Sequence, residues 1–216
     1  MMQASSVWRT RIPFALLVVG AMALALGRGL SREPSPPVPG VGSATGASAA
    51  SGLDGVVDLT GRARDPFSNP TARAVVLIFV SIECPICGRY APEIQQLQAR
   101  FSKQDVAFWF VQPADDESPE ATRRYLKEFG YSMDLVRDPK RVLVQRAGAT
   151  ITPEAAVFLP DGTMAYRGRI DDRYADFGKT RPAPTRRELA DALESILAGR
   201  PVAVTNAPAV GCSISR

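Results

Sequence analysis

Two thiols three positions apart, in Cys84-Pro85-Ile86-Cys87, stand between an apolar run, Val75 to Val80, and a segment of helical character, Tyr90 to Phe101. A helix N-terminus offers partial positive charge and free backbone N–H groups, and both favour a thiolate. Such placement lowers a cysteine pKa from ~8.5 into the range of roughly 3.5–7.5. The chemistry implied is reversible disulfide exchange. Cys84, at the exposed end, is expected to attack, and Cys87, one turn in and more buried, to resolve the mixed disulfide. A pair of this kind is also half of a zinc site. The chain has no second such pair and no histidine at all, so no metal is expected. The missing histidine also excludes a Ser-His-Asp or Cys-His hydrolase and removes the commonest general base. A purely structural bridge is the plainer alternative, although such bridges rarely sit at a helix start after a core strand. No cofactor is implied.

Two further groups bear on the pair. Glu83 is the nearest carboxylate. It is either a solvated loop residue or, if it faces the sulfurs, a negative charge that raises their pKa. Cys212 lies in Ala209-Val210-Gly211-Cys212-Ser213-Ile214, beyond the last expected helix. In an oxidising compartment a lone exposed thiol oxidises or cross-links, and its apolar neighbours point to a tail that docks. Cys212 is therefore expected to communicate with Cys84 and Cys87. The tail, residues 201–216, reaches roughly 50 Å when extended, although a direct bond needs Cα atoms within about 7 Å.

The elements that must position these residues follow from pattern. Ala74 to Ser81 reads as a central strand buried on both faces, and Val106 to Val111 as a second. Val56 to Leu59 is a short strand candidate. Pro92 inside the helical segment predicts a kink. Ser118-Pro119-Glu120 combines an N-cap, an N1 proline and a first-turn acid, which predicts a helix to about Phe129, stopped at Gly130. Asp134 to Val136 forms a strand and Lys140 to Ala147 a short helix. Ala155 to Leu159, a turn at Asp161-Gly162 and Met164 to Arg167 make a hairpin. Thr185 is expected to cap a last helix ending at Gly199, with Leu189, Leu193 and Ile196 on one face. The charged, aromatic loop Arg169 to Lys179 is a solvated face laced with salt bridges or a partner-recognition element. The order describes an α/β sandwich with a mixed sheet.

The formal charge of +4 is concentrated at the start of the chain: residues 1–30 hold Arg9, Arg11 and Arg28 and no acids. The remainder is nearly neutral, with no basic stripe for nucleic acid. Arg9 and Arg11 precede fifteen uncharged apolar residues, Ile12 to Leu26, and Ala23-Leu24-Ala25 offers a cleavage site. Residues 1–30 are thus read as a signal peptide or an N-terminal membrane anchor. Either places the body outside the cytoplasmic membrane of a bacterium, periplasmic and soluble or tethered. Residues 31–53, rich in Pro, Gly, Ala and Ser, form a spacer. The domain is expected over 54–200, with 201–216 as a C-terminal tail.

The body resembles the thioredoxin superfamily, in its redoxin branch of alkyl-hydroperoxide-reductase/thiol-specific-antioxidant proteins and exported or tethered thioredoxin-like proteins. Cys84-Pro85-Ile86-Cys87 occupies the position of the redox motif. Pro92 matches the kinking proline, and Ile151-Thr152-Pro153 matches the loop whose proline is cis and faces the disulfide. The segment Asp134 to Ala147 resembles the redoxin insertion. The resemblance implies a thioredoxin-like fold, a central mixed sheet flanked by helices, with Thr152 and Pro153 forming the substrate groove. It implies thiol–disulfide oxidoreductase activity on protein thiols or disulfides, with an upstream membrane or periplasmic thiol donor. Two departures stand out: Glu83 replaces the usual aromatic before the first cysteine, and Ile78 replaces a buried acid. A thiol peroxidase is the alternative. There Ser81 takes a hydroxyl position of the peroxidatic motif while Leu77 replaces its proline, and Cys87 or Cys212 would resolve a sulfenate. A thiolate metal carrier or non-catalytic module is the third reading, one that soft Cu(I) would tolerate.

Overall fold

Val75 to Phe79 alternate between two apolar layers, and this alternation organises the domain. The computed structural model describes residues 53–113 and 116–214, so the expected targeting segment and residues 31–52 of the expected spacer lie outside the described residues. The first strand, β1 (Ala74–Phe79), is buried at every position. Ala74, Val76 and Ile78 enter one core and Val75, Leu77 and Phe79 the other, as the two-residue period of a strand requires. Being apolar on both faces, it takes the sheet interior, parallel to β2 (Val106–Gln112) and antiparallel to β5 (Glu154–Phe158). With β3 (Asp134–Arg137), β6 (Met164–Gly168) and β9 (Asn206–Ala207) the sheet runs β3-β2-β1-β5-β6-β9. It is mixed, because β2–β3 and β6–β9 are parallel while β5–β6 is antiparallel.

Helices cover both faces. On the first side α2 (Ala91–Phe101) buries Ile94, Leu97 and Phe101, and α5 (Glu188–Leu197) buries Leu189 and Leu193. On the second side α4 (Val142–Ala147) buries Leu143, Val144 and Ala147. Buried Asp138 accepts hydrogen bonds from the Val142, Leu143 and Val144 amides at 2.8–2.9 Å and so satisfies the α4 N-terminus. Its burial raises the carboxyl pKa, against the lowering effect of those three donors. The helix α3 (Pro119–Glu128) starts as its sequence predicts, with the Ser118 hydroxyl accepting from the Ala121 amide at 3.1 Å.

Several expectations change in detail. The helix expected over Tyr90 to Phe101 is α2, unbroken at Pro92, and a separate short helix, α1 (Pro85–Arg89), precedes it with Tyr90 between the two. Pro92 lies in the first turn of α2 and has no N–H to continue the α1 ladder. Val57 makes only isolated bridges to Ala63 and Arg137, short of a strand. Thr185 does not cap α5: its hydroxyl and amide both bind Asp172 at 2.6 Å, and the helix begins after Arg187. The charged loop is tied inward by Asp171 on the Tyr90 hydroxyl at 2.8 Å and by Arg169 on Glu188. Only its hairpin, β7 (Tyr174–Asp176) with β8 (Lys179–Thr180), presents a large apolar side chain, Phe177, outward.

The largest difference concerns the C-terminal segment, expected as a tail. It contributes β9 to the main sheet, and then β10 (Cys212–Ser213) pairs antiparallel with β4 (Ile151–Thr152). Glycine permits the first of these approaches: a Cβ on Gly168, at φ +151°, would lie 2.2 Å from the Ala207 carbonyl oxygen. Among the described residues, no helix is long and apolar enough to cross a membrane.

Candidate active site

The turn from β1 into α1 holds both cysteines of the motif. Cys84 is the α1 N-cap, its amide bonding the Ser81 carbonyl at 3.3 Å, and the Cys87 amide returns to the Cys84 carbonyl at 3.0 Å. Both thiols are reduced and buried, Cys84 at 2% and Cys87 at 0% exposure. The expectation of an exposed Cys84 is thus corrected. Its position at the helix end is as expected, but β10 lies across it.

Thr152 and Pro153 face the pair. The Thr152–Pro153 bond is cis, and the Thr152 carbonyl accepts from the Cys84 thiol at 3.2 Å. Once ionised, the Cys84 sulfur is held first by the Cys87 thiol, then by the Cys212 thiol, with the Cys87 and Cys212 amides adding to both. Against the cost of burial these donors bring its pKa down to about 4. Cys87 moves the other way. Burial, then its hydrogen bond to Cys84 and the charge there, raise it well above 9.0. Cys212 is pushed up to about 11, by burial and then by the same Cys84 sulfur. One of three neighbouring sulfurs therefore carries the charge and the other two keep their protons.

The remaining expected modulators divide. Glu83 is exposed at the rim and does not figure among the groups that set the Cys84 pKa. The Ser81 hydroxyl donates to Glu117 at 2.5 Å and accepts from the Glu83 amide at 3.2 Å. Glu117 was not legible as a site residue. It is a buried carboxylate on the β2–α3 connection, where it also accepts from the Ile82 amide at 3.0 Å and from Gln112. Ile78, where a buried acid is usual, is fully buried in the apolar core; the carboxylate arrives from a different element. The only sequence signal was an acid immediately before the Ser118 cap.

Ser81, Glu83, Cys84, Glu117, Thr152 and Cys212 line a cavity of about 310 Å³. On the other side of Cys84 a cleft of about 400 Å³ opens between Pro85, Gly88, Tyr125 and Phe129. Residues 64–167 match the AhpC/TSA family, a stretch that contains the cysteine pair, Thr152 and Pro153. Over those residues the chain is similar to the redoxins. No curated protein matches the chain. Among solved structures, the chain is similar to an uncharacterized conserved protein from Geobacillus kaustophilus at 25% identity and TM-score 0.64, covering 74% of this chain and 87% of that one. A hypothetical protein from Sinorhizobium meliloti 1021 aligns at 22% identity and TM-score 0.64, over 74% and 88% of the two chains. The domain has a thioredoxin-like fold, a central mixed sheet flanked by helices. Cys212 and all of β10 lie beyond the matched stretch.

Proposed function

We propose that this chain is an exported thiol–disulfide oxidoreductase that exchanges electrons with protein thiols or disulfides. The observation that carries the reading is the asymmetry of the pair: Cys84 borders both cavities and contacts the Thr152 carbonyl, while Cys87 is sealed from solvent. Cys84 thiolate attacks a sulfur of the client disulfide, the client's other sulfur leaves, and a Cys84–client disulfide forms. Cys87 then gives up its proton and attacks Cys84, so the client departs as a dithiol and Cys84–Cys87 remains oxidised. A membrane or periplasmic dithiol donor resets the pair; run in reverse, the same steps oxidise a client. Thr152 offers its backbone to an extended client beside Cys84, in the manner of strand addition.

The test pairs insulin-disulfide reduction with peroxide consumption under one reductant. Cys84→Ser should abolish insulin reduction, and Cys87→Ser should accumulate a mixed disulfide with clients. Peroxide consumption that survives in Cys87→Ser, with no captured client, would establish a peroxidase instead.

A further inference from the structure

We infer that β10 is a tethered client: it fills the groove that an extended substrate must enter, and Cys212 exchanges disulfides with Cys84. The inference rests on the oxidoreductase reading and adds what normally occupies its groove. Cys212 pairs with Thr152 and Ser213 with Ile151, in antiparallel register. The Ile214 amide donates to the Thr150 carbonyl at 2.9 Å, and the Thr152 hydroxyl to the Cys212 carbonyl at 3.3 Å. The backbone groups that would receive a client are thereby engaged.

Side chains fix the register. Val210 and Cys212 pack against the core that holds the cysteine pair, whereas Ile214 packs against the other. Within β10, a one-residue slip would turn the Cys212 side chain away from the core that holds the cysteine pair. Gly211 allows the close approach, because a Cβ there would lie 2.0 Å from the Thr152 carbonyl oxygen and 2.7 Å from its carbon. Those are backbone atoms next to Pro153, so they have little room to give. The result is a cysteine opposite Thr152, lining the same cavity as Cys84, whose thiol donates to the Thr152 carbonyl.

The exchange balances without an added oxidant. Starting from the Cys84–Cys87 disulfide, the Cys212 thiolate attacks the Cys84 sulfur. The Cys84–Cys212 bond forms as the Cys84–Cys87 bond breaks, and the leaving electron pair settles on Cys87, which takes up the proton that Cys212 released. Nothing is oxidised or reduced overall. The disulfide moves from a sealed position to the strand that borders the cavity. A client gains Cys84 by displacing β10.

Two measurements on the full chain test this. With Cys87→Ser equilibrated in mixed reduced and oxidised glutathione at low protein concentration, non-reducing peptide mapping should find a Cys84–Cys212 bond within monomers. Cys84 carrying only glutathione would overturn the exchange. Iodoacetamide should alkylate Cys84 at least about tenfold faster in Gly211→Ala than in wild type, equivalent to ~1.4 kcal/mol of lost docking. A chain ending at Pro208 should reproduce that acceleration. Equal rates in wild type and both variants would overturn the docked, tethered-client assignment. Failure of the underlying function looks different: insulin reduction absent from wild type and Gly211→Ala alike, with the Cys84–Cys212 bond and the alkylation difference intact.

Discussion

At the scale of single residues, the charge distribution among three sulfurs sets how the site responds to pH. Unfolded Cys84 binds a proton up to about pH 9 while folded Cys84 has released it above about pH 4. Across that window the unfolded state holds more protons, so the Cys84 contribution to stability rises with pH and disappears as pH falls through about 4. Denaturant unfolding of reduced wild type against Cys84→Ser isolates it: the difference between the two should shrink steadily on acidification. Thiolate absorbance should titrate with a midpoint near 4 in the reduced protein, and should move upward in Cys212→Ser, which removes one of the thiol donors. A midpoint unchanged by that substitution would show that Cys212 does not reach the sulfur. Glu117→Gln addresses the buried carboxylate. It replaces an acceptor of three donors with a group that brings donors of its own, and should cost about 1–3 kcal/mol in denaturant midpoint analysis.

At the scale of elements, the short strands decide the site. The pairing of β10 with β4 closes the groove, and β9 on β6 brings the chain to that point. Gly168→Ala puts a methyl group onto the Ala207 backbone, and should release β9. Hydrogen exchange reads this directly: the Arg167 and Arg169 amides, which bond the Thr205 and Ala207 carbonyls at 2.9 and 3.0 Å, should lose protection. The amides of β1, in the centre of the sheet, should keep theirs. Retained protection at Arg167 and Arg169 would contradict this account of β9.

At the scale of the whole molecule, export is the proposal that links residues 1–53 to the thiol chemistry, because disulfides persist outside the cytoplasm. Fused to a reporter enzyme that is active only after export, residues 1–53 should confer activity, and replacing Arg9 and Arg11 with acids should reduce it. Fractionation of the full chain then separates the alternatives. A shortened soluble periplasmic form indicates cleavage, and a full-length membrane form indicates an anchor.

Local pattern alone determined much of this protein. The unbroken apolar run of β1 specified a central strand, Ser118-Pro119-Glu120 specified the start of α3, and the cysteine spacing specified paired thiols at a helix end. These signals are legible because they depend on periodicity, capping and strand-to-helix order within a few residues. The tertiary structure decided the rest. Glu117 reached the site from a connection remote in sequence, since burying a carboxylate there depends on Ser81, Ile82 and Gln112 converging on it. Cys84 became buried, and Cys212 became its neighbour, through strands of two residues each. So short a strand has no period to detect, and its partner is chosen by which sheet edge stands open and which glycine allows contact. Only the folded chain supplies that.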